Sequence, residues 1–436
     1  MRRTSSWGGA RSEVFDTEYE PFRDDDDLQL QRDKVTGPFR FMNPTRALFS
    51  YTAERTEDHL DSRGIDLEAK RSQDTGEGFD FHGADVEYKW TSRNNRKGRH
   101  AIIIRESQER VNPYATPPAT TGPRPMLKGI WRMLTVFTLH DVSYLLAVAF
   151  TLACVLLVIN AILSFLPYVN HRVHNSDTLY RIQAILGALG CTLFFSGTLF
   201  AFAEAVNVNR RGCFGWKLVR VSHPANPHST DSLAETAALT LLVPDGSCVH
   251  HHDSYKVVAG HPESWNQAVL DRRASSLRPE HRHLRTKQPW IWLPSWQEVR
   301  THLRYDFGFV TATMLVLSSA VYCAMAWAAL ATVCKTGEVA PWIRFPQLVA
   351  ALGFVASCVL SMIETQPNWW QPSMGVVGWH ANAFNVVGSV GFMLTAVFGY
   401  VERRAGWAEY QYGCAFLWGE CSSFSLCSLG RGIELC

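Results

Sequence analysis

The chain lacks the short signatures that mark most enzyme classes. It has no G-x-x-x-x-G-K phosphate loop, no G-x-G-x-x-G dinucleotide turn, no H-E-x-x-H zinc pair and no G-x-S-x-G nucleophile turn. No catalytic residue is therefore expected, and no cofactor. A dominant charge is lacking too: 42 Lys and Arg against 40 Asp and Glu leave a net +2, which gives no reason to expect a nucleic-acid partner. The 11 cysteines include no C-x-x-C pair and no zinc-finger spacing, which argues against a disulfide framework and a structural zinc site. Cys154, Cys191, Cys323 and Cys358 stand inside apolar runs and read as small packing residues. No apolar run stands near the N-terminus, so no signal peptide is expected, and insertion would rest on the first membrane span.

Metal chemistry is poorly provided for. Cys248, His250, His251, His252 and Asp253 form a cluster, but consecutive histidines cannot all face one ion, and His261, His281 and His283 could join only through folding of a polar loop. Haem held between helices needs facing histidines, and only His140 and His380 lie near apolar runs, at their edges. No metal site is expected.

What the chain does have is long apolar runs. Mean hydropathy is −0.08, a value that averages a polar N-terminal part with an apolar remainder. Crossing a bilayer core takes about 20 apolar residues in a helix. Val142–Leu166, Ile182–Val206, Phe307–Val333, Phe345–Ile363 and Val377–Tyr400 meet that length, and Tyr412–Leu429 is a shorter sixth run with Glu420 near its middle. The expected fold is an all-α membrane protein of five to six transmembrane helices in three hairpins, with a disordered N-terminal tail. The expected divisions are a tail over 1–125, hairpins over 126–206, 307–363 and 364–436, and a large polar loop over 207–306. The tail carries consecutive aspartates at 24–27 and a proline cluster at 113–125, and shows no sustained period. Its one apolar patch, Ile102–Ile104, is long enough only for a strand or a docking segment.

Lys and Arg near the span ends favour a cytoplasmic N-terminus and a cytoplasmic long loop. Trp290, Trp292 and Trp296 stand where an interfacial aromatic belt belongs, and 294–305 is expected to lie along the membrane surface. The lipid bilayer is the expected partner, together with cytoplasmic proteins that bind the tail and loop.

Two runs repeat a pattern. Gly187, Gly190, Gly197 and Ala201 lead to Glu204; Ala350, Gly353, Ser357 and Ser361 lead to Glu364. Small residues let helices approach closely in lipid, so the stripes read as packing faces whose carboxylates are satisfied by water or arginine. The alternative is that Glu204 and Glu364 line a polar path. The fifth run has a polar face of Gly378, Asn382, Asn385 and Ser389 with His380 close by, either interhelical glue or a substrate-facing patch. Cys213 follows Arg210-Arg211-Gly212 just past the second run, where juxtamembrane S-palmitoylation is plausible chemistry.

Trp292-Leu293-Pro294-Ser295-Trp296, Arg304-Tyr305-Asp306-Phe307-Gly308-Phe309, Met362-Ile363-Glu364-Thr365-Gln366, Trp369-Trp370-Gln371-Pro372 and Gly378-Trp379-His380-Ala381-Asn382 together form a distinctive set. Over about residues 130–420 the chain resembles a family of uncharacterised fungal multi-pass integral membrane proteins. The paired spans are also similar to YrhK-like helical hairpins. The resemblance implies about six spans with a large loop after the second, and supplies no activity and no catalytic residue. The tail from Glu420 to Cys436 departs from the family, as a frameshifted or mis-spliced gene model would, and if it is real the sixth span is expected not to cross fully. Two functions remain open at this stage: a membrane scaffold or regulator, and a small-solute or ion transporter or channel.

Overall fold

The computed structural model describes residues 28–51, 85–97, 101–105, 142–170, 176–208, 216–221, 239–244, 290–336, 344–401 and 410–422, with single positions 131 and 135. Its mass is helical. Five helices are long and apolar enough to cross a membrane: α2 (Val142–Val169), α3 (Asp177–Val206), α5 (Phe307–Thr336), α6 (Arg344–Glu364) and α7 (Val377–Val401). An all-α membrane bundle is thus the architecture, as the apolar runs imply.

The side-chain distribution suits a lipid solvent. Small residues fill the interior: Ala153, Ala161, Ala351 and Ala396 are fully buried. Large apolar side chains such as Leu152, Ile159, Ile185, Leu317 and Leu352 point outward. In lipid, association depends on close packing more than on removing apolar surface from water, so small residues belong inside and large ones can face the acyl chains.

Consecutive spans are neighbours, α2 beside α3, α3 beside α5, α5 beside α6, and α6 beside α7. The glycine stripe of α3 packs on α2, with Gly187 against Asn160, Gly190 against Leu157 and Gly197 against Phe150. Hydroxyls join the next pairs: Thr198 Oγ1 and Ser319 Oγ are 2.8 Å apart between α3 and α5, and Ser357 Oγ of α6 donates to Thr311 O of α5 at 2.9 Å. A further helix, α8, runs over 410–422, within the short sixth run, and includes Glu420. A Cβ built on Gly391 of α7 would stand 2.7 Å from Gly419 Cα of α8, so these two backbones touch directly. At its start, Tyr410 packs on Phe165 and Tyr168 at the end of α2. The described part of α8 is about 20 Å long, short of the ~30 Å core.

The N-terminal segment needs a correction. Residues expected to be disordered include a four-stranded antiparallel sheet in the order β1-β2-β3-β4, with β1 Leu28–Leu30, β2 Arg46–Tyr51, β3 Asp85–Thr91 and β4 Ala101–Arg105. The Ile102–Ile104 patch forms most of β4. Ala47 pairs with Trp90 and Phe49 with Tyr88, and these four residues are buried with Val35. A single-turn helix, α1 (Ser92–Arg96), follows β3 and is capped by Thr91 Oγ1, which accepts from Asn94 N at 3.3 Å. Positions 1–27, 52–84, 98–100 and 106–125 lie outside the described residues.

The long insert also holds structure. Strands β5 (Trp216–Val221) and β6 (Leu239–Pro244) pair antiparallel, and α4 (Trp296–Thr301) precedes α5. A reciprocal capping box starts α4: Ser295 Oγ accepts from Glu298 N at 3.2 Å, and Glu298 Oε2 accepts from Ser295 N at 2.8 Å. Trp292, Leu293 and Trp296 are exposed around it. Leu303 seats the segment on Val206 and Phe309, where α3 ends and α5 begins.

Candidate functional site

The sheet docks where α3 and α6 end and α5 and α7 begin. Arginines at 93 and 96 are three residues apart on α1, hence on one helical face, and both enter the bundle. Arg96 grips Glu364 with a fork, Nη1 to Oε1 at 2.6 Å and Nη2 to Oε2 at 2.7 Å. Ser92 Oγ donates to the same Oε1 at 2.6 Å. Side-chain exposure is 14% for Arg96 and 2% for Glu364, so this ion pair is largely removed from water. Burial opposes the charge on Arg96, but the Glu364 carboxylate outweighs it and holds the guanidinium above its ordinary pKa. Arg93 is pushed below its ordinary value by burial, which nearby Glu364 partly offsets.

Two glycines make room for these guanidiniums. A Cβ at Gly308 would meet Arg96, and one at Gly378 would meet Arg93. The Gly378 of the predicted polar face of α7 is therefore an accommodation for arginine.

Three further residues, Arg46, Asn43 and Phe39, add to the junction. Arg46 Nη2 donates to Thr365 O and, at 3.2 Å, to Ser373 Oγ in the turn between α6 and α7. Asn43 N donates to Tyr305 O at 2.9 Å, and Phe39 stacks on Phe307 with centroids 6.0 Å apart. The sheet is thus tied to the start of α5, the end of α6 and the start of α7.

Glu204 lies at the same end of the bundle. Ser143 Oγ of α2 donates to its Oε1 at 2.7 Å. Next to it, Asn207 is fully buried and secures the returning end of the insert: its Nδ2 donates to Ile291 O at 2.7 Å and its Oδ1 accepts from Ile291 N at 2.9 Å. On α7, Asn382 Nδ2 donates to Ser361 O of α6 at 2.7 Å, an interhelical bond. His380 Nε2 is 2.7 Å from Met374 O, a local contact. Asn385 lies one turn further along α7.

Of the residues singled out in the sequence, Glu364, Glu204 and the α7 face therefore gather near one end of the bundle, with each carboxylate bound by a different element. Arg93, Arg96, Ser92 and Ser143 were missed. The one available signal was the Arg-x-x-Arg spacing in Ser92–Arg96. Cys213 and the Cys248–Asp253 cluster lie outside the described residues. Among the described residues no group of three or more His, Cys, Asp or Glu could hold a metal ion.

The chain matches no family model, no curated protein and no solved structure.

Proposed function

We propose that this integral membrane protein is a scaffold or regulator whose bundle presents an N-terminal sheet and a long insert at one membrane face. The observation that carries the reading is the Arg96–Glu364 fork, buried between sheet and bundle. A carboxylate serving a solute path must exchange partners with the solute. Glu364 instead has both oxygens occupied by α1. The α7 amide at Asn382 is likewise engaged with Ser361 O. The positive-inside bias makes the docked face cytoplasmic, where the sheet and insert are open to soluble proteins.

A small-solute or ion transporter is the second reading, favoured by a carboxyl group inside the bundle at Glu420. Cysteine substituted at 382 and 385 in a cysteine-reduced chain, probed from each side with an impermeant thiol reagent, separates the two. The scaffold reading expects both positions to stay unlabelled and purified proteoliposomes to show no solute flux. Labelling at 382 and 385, with protection by an added solute, would replace it with the transporter reading.

A further inference from the structure

Glu420 takes no part in the docking junction, yet it is only 5% exposed. Its helix starts at Tyr410 against Phe165 and Tyr168, the end of α2. Ten residues at 1.5 Å each place Glu420 about 15 Å below that level, at the middle of a ~30 Å core. The Gly391–Gly419 crossing gives a similar depth, because Gly391 lies ten residues from the end of α7.

The neighbours are polar or titratable but not cationic. From α5 come Tyr322 and Cys323, and from α3 Cys191 and Thr192; Glu420 lies within electrostatic reach of Tyr322 and Cys191. Cys421 follows on α8 itself, and Tyr412 shares that helix. At the crossing α7 offers Gly388, Gly391 and Phe392, none of which titrates. From α6, Gln347 is buried near Tyr322. No described charged residue acts on Glu420. Tyr322 Oη is buried beside the Gln347 side chain. The Tyr322 ring lies against Phe392, which in turn touches Gly419.

A carboxylate at mid-membrane with no cation beside it is costly, and ionisable groups so placed are functional candidates. Neutrality requires either a proton or a bound cation. A hard metal cation takes about six oxygen ligands, whereas the oxygens here are one phenol, one threonine hydroxyl and one amide, with two thiols among them. We infer that Glu420, buried at the crossing of α7 and α8, is an intramembrane proton-binding site. The exchange is a simple one: the Glu420 O–H bond breaks, the electron pair stays on the carboxylate and the proton passes to water. The inference stands independently of the scaffold reading.

Dicyclohexylcarbodiimide attacks protonated carboxyl groups in apolar surroundings and reads the site directly. The full chain in lipid nanodiscs is treated across a pH series and the adduct located by peptide mass spectrometry. The expected result is an adduct on Glu420 that declines with one midpoint as pH rises, while salt-bridged Glu364 stays unmodified. Glu420→Gln should remove the adduct. Absence of adduct at every pH would overturn the proposal. An adduct independent of pH would overturn it in favour of a permanently protonated structural acid, and protection by sodium chloride at fixed pH and ionic strength in favour of a metal-cation site.

Discussion

Replacing Arg96 with alanine should release the N-terminal sheet. The substitution removes both arms of a fork with distances of 2.6 and 2.7 Å and leaves Glu364, with a 2%-exposed side chain, facing Ser92 Oγ and the nearby Arg93. Deleting one partner of a buried ion pair costs about 3–5 kcal/mol, chiefly because the remaining charge is uncompensated. Arg93 reduces that charge imbalance, so about 3 kcal/mol is expected, roughly a hundredfold in the docking equilibrium. Among the described residues, the sheet segment buries Val35, Met42, Ala47, Phe49, Tyr88 and Trp90. So small a core does not hold a sheet by itself, and undocking should also open the β2–β3 ladder. Hydrogen exchange of amides at 46–50 and 87–91 therefore reports the loss, with rates rising by about a hundredfold if exchange is limited by the opening equilibrium. Arg96→Lys should fall between, because an ammonium cannot repeat the two parallel bonds. The paired replacement Arg96→Met with Glu364→Leu should recover most of the loss, since an apolar pair leaves no buried charge. An increase below about fivefold in Arg96→Ala, the cost of an exposed pair at ~1 kcal/mol, would refute the claim that this contact holds the sheet.

Four further outcomes follow from the same geometry. Gly308→Leu should displace the Arg96 guanidinium and mimic its loss in the exchange assay, because the new side chain takes the space the guanidinium fills. Asn382→Leu should weaken the α6–α7 contact by about 1 kcal/mol through its lost bond to Ser361 O, read as faster protease cleavage between these spans. Gly391→Leu should part α7 from α8, because the added atoms meet Gly419 backbone; a cysteine pair bridging α7 and α8 would then lose crosslinking yield. Docking should not weaken between neutral pH and about pH 10: the Arg96 pKa is raised in the docked state, so its contribution is complete below the ordinary guanidinium value and is lost only as pH rises through the higher, docked one. Sheet exchange, corrected for its intrinsic pH dependence, checks this.

The spans were legible because lipid imposes a length. Twenty apolar residues have few other uses, and α2, α3, α5, α6 and α7 coincide with such runs to within a few residues. The sheet was not, for reasons visible in its residues. Its strands have 3, 6, 7 and 5 residues, and the 33 positions between Tyr51 and Asp85 separate the central pair (84 − 52 + 1). Local alternation in 46–51 is blurred by Leu48, an apolar residue at an outward position between Arg46 and Ser50, so the pairing that joins Phe49 to Tyr88 has little short-range signal. Glu364 was legible as a conspicuous carboxylate at a span end. Its partner was not, because it lies 268 positions away in a segment whose composition suggested no fold.

The repeated stripes explain why two similar carboxylates take different partners. Both stripes pack: Gly187, Gly190 and Gly197 against α2, and Gly353 and Ser357 against α5. Each places its helix end deep enough that a terminal carboxylate is largely shielded, and each then needs a donor. Glu204 finds one within the membrane unit, Ser143, because α2 begins alongside it. Glu364 has its donors on the sheet. The asparagines that follow diverge in the same way. Asn207 is buried and fixes the end of a long insert through Ile291, whereas Asn368 is exposed and reaches only to Gln371 Oε1 at 3.3 Å, within a short turn. Helix spacing thus accounts for the echo without requiring a shared solute path through Glu204 and Glu364. The Arg96 fork and Ser92, donors from outside the bundle, make Glu364 a point at which anything that binds or modifies the sheet acts on the membrane helices.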